Sequence, residues 1–265
     1  MTHPAHDPPH SAVEAPGWRR MALELRAPFE LAASFAAAPW LMNAPRGDGH
    51  TVIVYPGFMG SDISTAPMRR LLKSLGHNAQ GWGLGRNTGP RQDVMDEAMR
   101  RIQDGAQKSG RSVSLVGWSL GGVYARELAK LAPGEVRQVV SLGSPFIVTG
   151  NGPSNGTNAH RLYRFVSRRQ QHMKTDHDAM SQAPPVPTTS IYSRSDGIVA
   201  WQCSVQESGT QTESIEVTAS HTGLGVNPTA LYALADRLAQ APGQWRPFER
   251  SGFRKFWFPE TAAPK

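Results

Sequence analysis

The sequence predicts an α/β fold built on a mostly parallel central sheet. Three observations carry this. Short β-branched apolar runs recur at Thr51–Tyr55, Ser112–Val116, Val136–Leu142 and Thr188–Tyr192. Segments of helical period lie between them. The chain of 265 residues, 39% hydrophobic and 18% charged, is long enough to bury a sheet on both faces.

Taken in order, residues 1–17 carry Pro4, Pro8, Pro9 and Pro16 and little to bury. They read as a disordered tail ahead of a single domain over 18–265. Residues 18–38 read as an amphipathic or Ala-rich helix, broken at Pro28 and ended before Pro39. Thr51–Tyr55 lies between Gly47/Gly49 and Pro56-Gly57, as a buried parallel strand should. A helix over 64–75 follows, with Ser64 or Thr65 as its cap and Leu71, Leu72 and Leu75 on one side. His77–Trp82 reads as a second strand. From Thr88 to Ser109, Val94, Ala98, Ile102 and Ala106 keep a helical period that Gly110 ends. The strand Ser112–Val116 runs directly into Gly117-Trp118-Ser119-Leu120-Gly121-Gly122 and a helix to about 131. After the strand Val136–Leu142, residues 146–186 turn polar and read as an insertion closed by Pro184-Pro185-Val186-Pro187. Thr188–Tyr192 and Ser214–Thr218 are the remaining strands. Asn227 or Pro228 opens the last helix, to about Gln240. The last 20 residues are rich in Pro and aromatics and read as surface chain.

Composition excludes several classes. Cys203 is the single cysteine, so there is no intrachain disulfide and no multi-cysteine metal site. The net charge is +7, but the basic residues come as pairs (Arg19-Arg20, Arg69-Arg70, Arg100-Arg101, Arg168-Arg169) without the aromatic interleaving of a nucleic-acid surface. No nucleic-acid partner is expected. The apolar stretch Leu31–Met42 is short and holds Ser34 and Pro39, while Glu24, Arg26 and Glu30 interrupt any leader-like run. A cytoplasmic protein with no stable membrane insertion is the expectation. Gly81–Asn87 is glycine-dense but lacks a nucleotide-binding pattern; it reads as a loop on the rim of the active site. His172, Asp176, His177 and Asp178 are metal-ligand types on a polar stretch and read as solvated surface.

The chemistry concentrates at Gly117–Gly121, a Gly-x-Ser-x-Gly turn between a strand and a helix. Such a turn holds its serine in a strained conformation at a helix N-terminus, so its neighbours must lack bulk. Its bland alternative is a packing turn. Ser144, followed by Pro145, is a poor rival for Ser119. A serine nucleophile needs a base, and the base an orienting carboxylate. With the order serine, acid, histidine, His3, His6, His10, His50 and His77 come too early. His160, His172 and His177 fall in the insertion, which leaves His221, directly after a strand. Asp196 follows the strand before it; Asp176, Asp178, Glu207, Glu213 and Glu216 are its rivals by order, and a simple turn is its bland alternative. The amides of Leu120 and of Phe58, in Pro56-Gly57-Phe58-Met59-Gly60, are the candidate oxyanion donors.

With these pieces together, the chain resembles the α/β-hydrolases of the lipase and esterase kind. The Pro-Gly-Phe loop at 56–58, the elbow at 117–121, Ser195-Asp196-Gly197-Ile198-Val199 and Ser220-His221-Thr222-Gly223 carry the resemblance, over about 50 to 240. It implies an α/β-hydrolase fold, a Ser119–His221–Asp196 triad and an acyl-enzyme mechanism without metal or organic cofactor. One departure stands out. The fold usually opens with an antiparallel hairpin, whereas residues 1–48 look helical, so the expectation is a reduced sheet of about six strands with a helix over the missing edge. Met59, Trp118, Phe146, Ile198 and Trp201 are the candidate substrate-binding residues, and 146–186 reads as a small cap or lid. The expected function is hydrolysis of a small-molecule ester or lipid. Acyl transfer by the same triad and a non-enzymatic, hydrolase-like binding protein are the alternatives.

Overall fold

The computed structural model describes residues 13–147 and 177–259. The apolar runs form six strands: β1 (Thr51–Tyr55), β2 (Asn78–Gly81), β3 (Val113–Trp118), β4 (Val136–Leu142), β5 (Thr188–Tyr192) and β6 (Thr212–Glu216). They make one parallel sheet in the order β2-β1-β3-β4-β5-β6. The register brings the carboxyl ends level: Tyr55 pairs with Gly117, Trp118 with Leu142, and Leu142 with Ile191. In a sheet with this topology, the loops leaving that end share one surface.

The sheet is covered on both faces, which explains why β1, β4 and β5 are buried throughout. Side chains alternate between the faces. Val52, Val54, Val116, Val140 and Ile191 pack with Met68 and Leu72 of α4 (Ala66–Ser74) and with Leu231, Leu234 and Leu238 of α8 (Pro228–Leu238). Ile53, Tyr55, Leu115 and Val139 pack the other way, on Met95, Ala98 and Ile102 of α5 (Gln92–Ser109) and on Tyr124 and Leu128 of α6 (Leu120–Leu131). Each such Leu or Ile contributes about 2 kcal/mol by leaving water. Gly110 ends α5 in the left-handed region, at φ 62°. Asn227 caps α8 through its side chain, which accepts from the Thr229 and Ala230 amides.

Several boundaries differ from the sequence reading. The break expected at Pro28 falls earlier in residues 18–38. These residues form α1 (Trp18–Ala22), a 3-10 turn (Leu23–Arg26) and α2 (Ala27–Ala36), with α3 (Ala38–Met42) next. Pro28 and Pro39 each stand in the first turn of a helix, where the missing N–H costs nothing, so they start helices rather than break them. These helices run against α8, α4 and the loops after β5 and β6. Thr65 is the N-cap of α4 but makes no side-chain cap bond. β6 begins at Thr212, opposite Thr188, two residues before the expected start. Pairing with β5, which the sequence does not display, sets that limit. The C-terminal segment is not all surface, since Phe248 and Phe258 are buried, edge to face with each other. Of the insertion 146–186, residues 148–176 lie outside the described residues. Its last part includes α7 (His177–Ser181), held to α6 by Lys130 on the Ala179 carbonyl and Arg126 on the Gln182 carbonyl. Among the described residues, no helix is long and apolar enough to cross a membrane.

The amino ends of the strands are tied by a polar cluster. Asp48 accepts from His50 Nδ1 at 2.5 Å, and His50 Nε2 accepts from the Ser114 hydroxyl at 2.7 Å. Arg111 and Arg137 close on the same carboxylate. His77 lies edge-on to His50, 5.2 Å between ring centres, with both its nitrogens buried and unpartnered. Burial, with His50 and Arg137 nearby, pushes the His77 pKa down to about 4 from an ordinary 6.5. The neutral ring is the one the fold accepts, so this stability is whole above pH 6.5 and is lost as pH falls toward 4. The urea midpoint should therefore drop between pH 7.5 and 4.5, and His77→Leu should drop less over the same interval.

Candidate active site

The turn between β3 and α6 is set by close backbone approach. A Cβ at Gly117 would lie 2.2 Å from the Gly121 carbonyl oxygen, and one at Gly121 would lie 2.3 Å from that of Tyr55. A Cβ at Gly122 would lie 1.9 Å from Ser144 Oγ. The rival serine is thus a fully buried packing partner of α6. Between these glycines Ser119 adopts φ 54° and ψ −123°, a strained conformation for a side-chain-bearing residue. Its amide donates to the Leu142 carbonyl, and its own carbonyl accepts from Gly122. Leu120 opens α6, so its amide is one of the first-turn donors without an intrahelical acceptor.

The loop after β1 presses on this turn: a Cβ at Gly57 would lie 3.2 Å from Ser119 Cβ. Asn87, fully buried, fastens that loop. Its side chain donates to the Pro56 carbonyl, its backbone carbonyl accepts from Met59 N, and its amide donates to the Gly60 carbonyl. Met59 is held at φ 61°, so Ser119 and Met59 are the non-glycine residues with positive φ among the described residues.

The loops after β5 and β6 bring an acid and an imidazole to Ser119. Asp196 Oδ1 accepts from the Ile198 and Val199 amides at 2.8 and 2.7 Å, leaving Oδ2 2.7 Å from His221 Nδ1. His221 Nε2 stands 2.9 Å from Ser119 Oγ. With Nδ1–H donating to the carboxylate, Nε2 is the acceptor for the serine hydroxyl. The backbone of His221 is also spoken for: its amide donates to Glu24 and its carbonyl accepts from the Trp118 indole at 3.0 Å. Burial alone would depress the His221 pKa. The charge and hydrogen bond of Asp196, aided by the charge of Glu24, overcome it and hold the imidazole above its ordinary 6.5.

No protein-family model matches the sequence, and no curated protein matches it. Solved structures do. Aspergillus fumigatus lipase B aligns over 74% of this chain at 18% identity and a TM-score of 0.54. An α/β superfamily hydrolase from Oenococcus oeni PSU-1 aligns over 72% at 15% identity and 0.51, covering 91% of that protein. The fold is that of the α/β-hydrolases. The chain spans 54% of the length of the fungal lipase. At these identities the likeness is one of fold.

Within the hydrolase fold, Ser119, His221 and Asp196 form one hydrogen-bonded line at the carboxyl end of the sheet. The residues expected to bind substrate each have defined surroundings. Met59 is exposed on the loop after β1. Trp118 braces His221 and packs on Gly225. Phe146 is fully buried, its ring beneath the Arg126 guanidinium at 3.7 Å. Ile198 packs with Val199, Ala200 and Cys203, and Trp201 stacks on Tyr192 beneath Arg194. Packing explains Trp118, Phe146 and Trp201 without a ligand. Gly81–Asn87 reaches the site through Asn87, which fastens the loop after β1. A recess of about 240 Å³ beside it, lined by Trp82, Leu84, Arg86, Arg91 and Val94 among others, includes no member of the Ser119 line.

Glu24 and Asn87 were not singled out by the sequence reading. In the sequence Glu24 is only a charge that interrupts an apolar run, and Asn87 the end of a glycine-dense loop. The crowding at the elbow makes a direct test: Gly122→Ala should destabilise the fold by about 1–3 kcal/mol. Adding Ser144→Gly should restore part of the loss, read as melting temperature.

Proposed function

We propose that this protein is a serine hydrolase that cleaves carboxylic esters through an acyl-enzyme. The observation that carries the reading is the unbroken line Ser119–His221–Asp196, with Ser119 on a strained turn at the start of α6. His221 Nε2 takes the hydroxyl proton as Ser119 Oγ attacks the ester carbonyl. The carbonyl oxygen becomes an oxyanion, for which the Leu120 and Phe58 amides are the proposed donors, each worth ~3 kcal/mol in such sites. The C–O bond to the alcohol breaks as His221 returns its proton to the leaving oxygen. Water, deprotonated by His221, then attacks the acyl carbonyl; the acyl C–Oγ bond breaks as His221 returns the proton to Ser119 Oγ, and the carboxylic acid leaves. Asp196 keeps Nδ1 protonated and stabilises the imidazolium formed in each half-reaction.

The test is turnover of p-nitrophenyl esters from acetate to palmitate by wild type and Ser119→Ala, with fluorophosphonate labelling of Ser119 alongside. The alanine variant should lose on the order of 10⁴-fold or more in kcat. Turnover equal to wild type would overturn the reading. The pH profile gives a second check. His221 must be neutral to act as base, and its pKa lies above 6.5, so kcat/KM should rise with pH through a midpoint above 6.5.

A further inference from the structure

The helical segment before β1 wears its amphipathicity inside out. Trp18, Leu25, Phe29 and Phe35 are all more than 70% exposed, while Glu24, Arg26 and Glu30 turn toward the protein. Their partners are the loops that carry the acid and the base. Glu24 Oε1 accepts from the Gly197 and His221 amides, both at 2.8 Å. Its Oε2 accepts from the Thr222 amide at 2.9 Å and the Thr222 hydroxyl at 2.5 Å. Four donors fill the acceptor capacity of one carboxylate. Three of them are backbone amides: that of the base itself, that of the residue after it, and that of the residue after the acid.

The neighbouring residues extend the clamp. Glu30 accepts from the Ser220 amide at 2.8 Å and its hydroxyl at 3.1 Å. Arg26 joins Glu30 at 2.7 Å to Ser195 Oγ at 2.6 Å. So the residues just before Asp196 and His221 are tied to the same segment. The loops are shaped to receive it. A Cβ at Gly197 would lie 2.3 Å from the Arg20 carbonyl oxygen, and one at Gly223 would lie 1.4 Å from Glu30 Oε2. Both glycines leave room for this segment.

We propose that Glu24 is a positioning residue for the Ser119 line, fixing the His221 and Asp196 loops in register and adding negative charge beside the base. This rests on the reading of Ser119, His221 and Asp196 as the catalytic groups. Charge-assisted hydrogen bonds to backbone amides are strong and directional, which suits a clamp between two loops. The charged groups set against His221 are Asp196, on the loop after β5, and Glu24. Arg26 and Glu30 pair with each other at Ser195 and Ser220, one residue away on each loop. Burial works against ionisation of Glu24, yet its hydrogen bonds to Thr222, His221 and Gly197 hold the pKa below the ordinary carboxylate value, so it is an anion at neutral pH.

The experiment compares full-length wild type with Glu24→Gln and Glu24→Asp. Glutamine keeps the length but removes the charge and turns an NH₂ toward backbone donors. Aspartate keeps the charge but is too short to span both loops. For Glu24→Gln, kcat on p-nitrophenyl butyrate should fall on the order of 10²-fold, with KM within about threefold of wild type. The acid-limb midpoint should move to lower pH. Glu24→Asp should lose kcat as well while keeping its midpoint nearer wild type, and it carries the test if Glu24→Gln does not fold. A second readout is the NMR titration of the His221 imidazole in a Ser119→Ala background, where Glu24→Gln should lower the pKa. Folded variants with wild-type kcat and an unchanged His221 titration would overturn the inference. If wild type shows no Ser119-dependent turnover but the titration still shifts, the ester-hydrolase reading falls and the positioning of His221 by Glu24 stands.

Discussion

Ser119 is held in a backbone conformation that costs roughly 1–3 kcal/mol for a residue with a side chain, and much of the molecule is arranged to keep it there. β3 must end level with β1 and β4 so that the turn leaves the sheet between them, and the pairings of Tyr55 with Gly117 and Trp118 with Leu142 set that level. The Leu142 carbonyl takes the Ser119 amide, and α6 starts at once on the far side. Close approach to Tyr55 and Ser144 forbids side chains at Gly121 and Gly122. The strain is thus a consequence of sheet register and helix docking together, and the core beneath the turn supplies the stability that maintains it.

The sheet carries two Ser–His–Asp lines, one at each end, and their environments separate them. At the amino end, Ser114 lies inside β3 without exposure, and burial drives the His50 pKa down despite Asp48. Arg111 and Arg137 compete for the same carboxylate and oppose a charge on the ring. At the carboxyl end, Ser119 is half-buried at a helix start, and the anions Asp196 and Glu24 push the His221 pKa up. The same residue types therefore meet opposite electrostatics, which hold the His50 imidazole below its ordinary pKa at one end and the His221 imidazole above it at the other.

The segment before β1 links the departures from the expected architecture. It supplies no strand, and its polar residues are spent on loops nearly two hundred positions further along the chain. Its apolar residues consequently face outward. The hydrogen bonds it accepts from Gly197 and the Ser220–Thr222 loop, with the one Arg26 donates to Ser195, hold together two elements that the sheet alone leaves joined only through β5 and β6.

The sequence by itself determined the strands, the major helices and the chain order from which Ser119, Asp196 and His221 were chosen. Those signals are local: a continuous apolar run, a helical period, glycines flanking a serine, a polar residue just past a strand. The tertiary structure decided what depends on distant partners. Pairing with β5 placed the start of β6, and the fit against α6 and the Arg126 guanidinium made Phe146 a buried packing residue. Trp118 became a brace because its indole meets the His221 carbonyl. Glu24, which in the sequence only interrupts an apolar stretch, became the acceptor for the His221 amide. A hydrogen bond to a backbone amide leaves no residue-type signature on its partner, so that role exists only once the loops are folded against it.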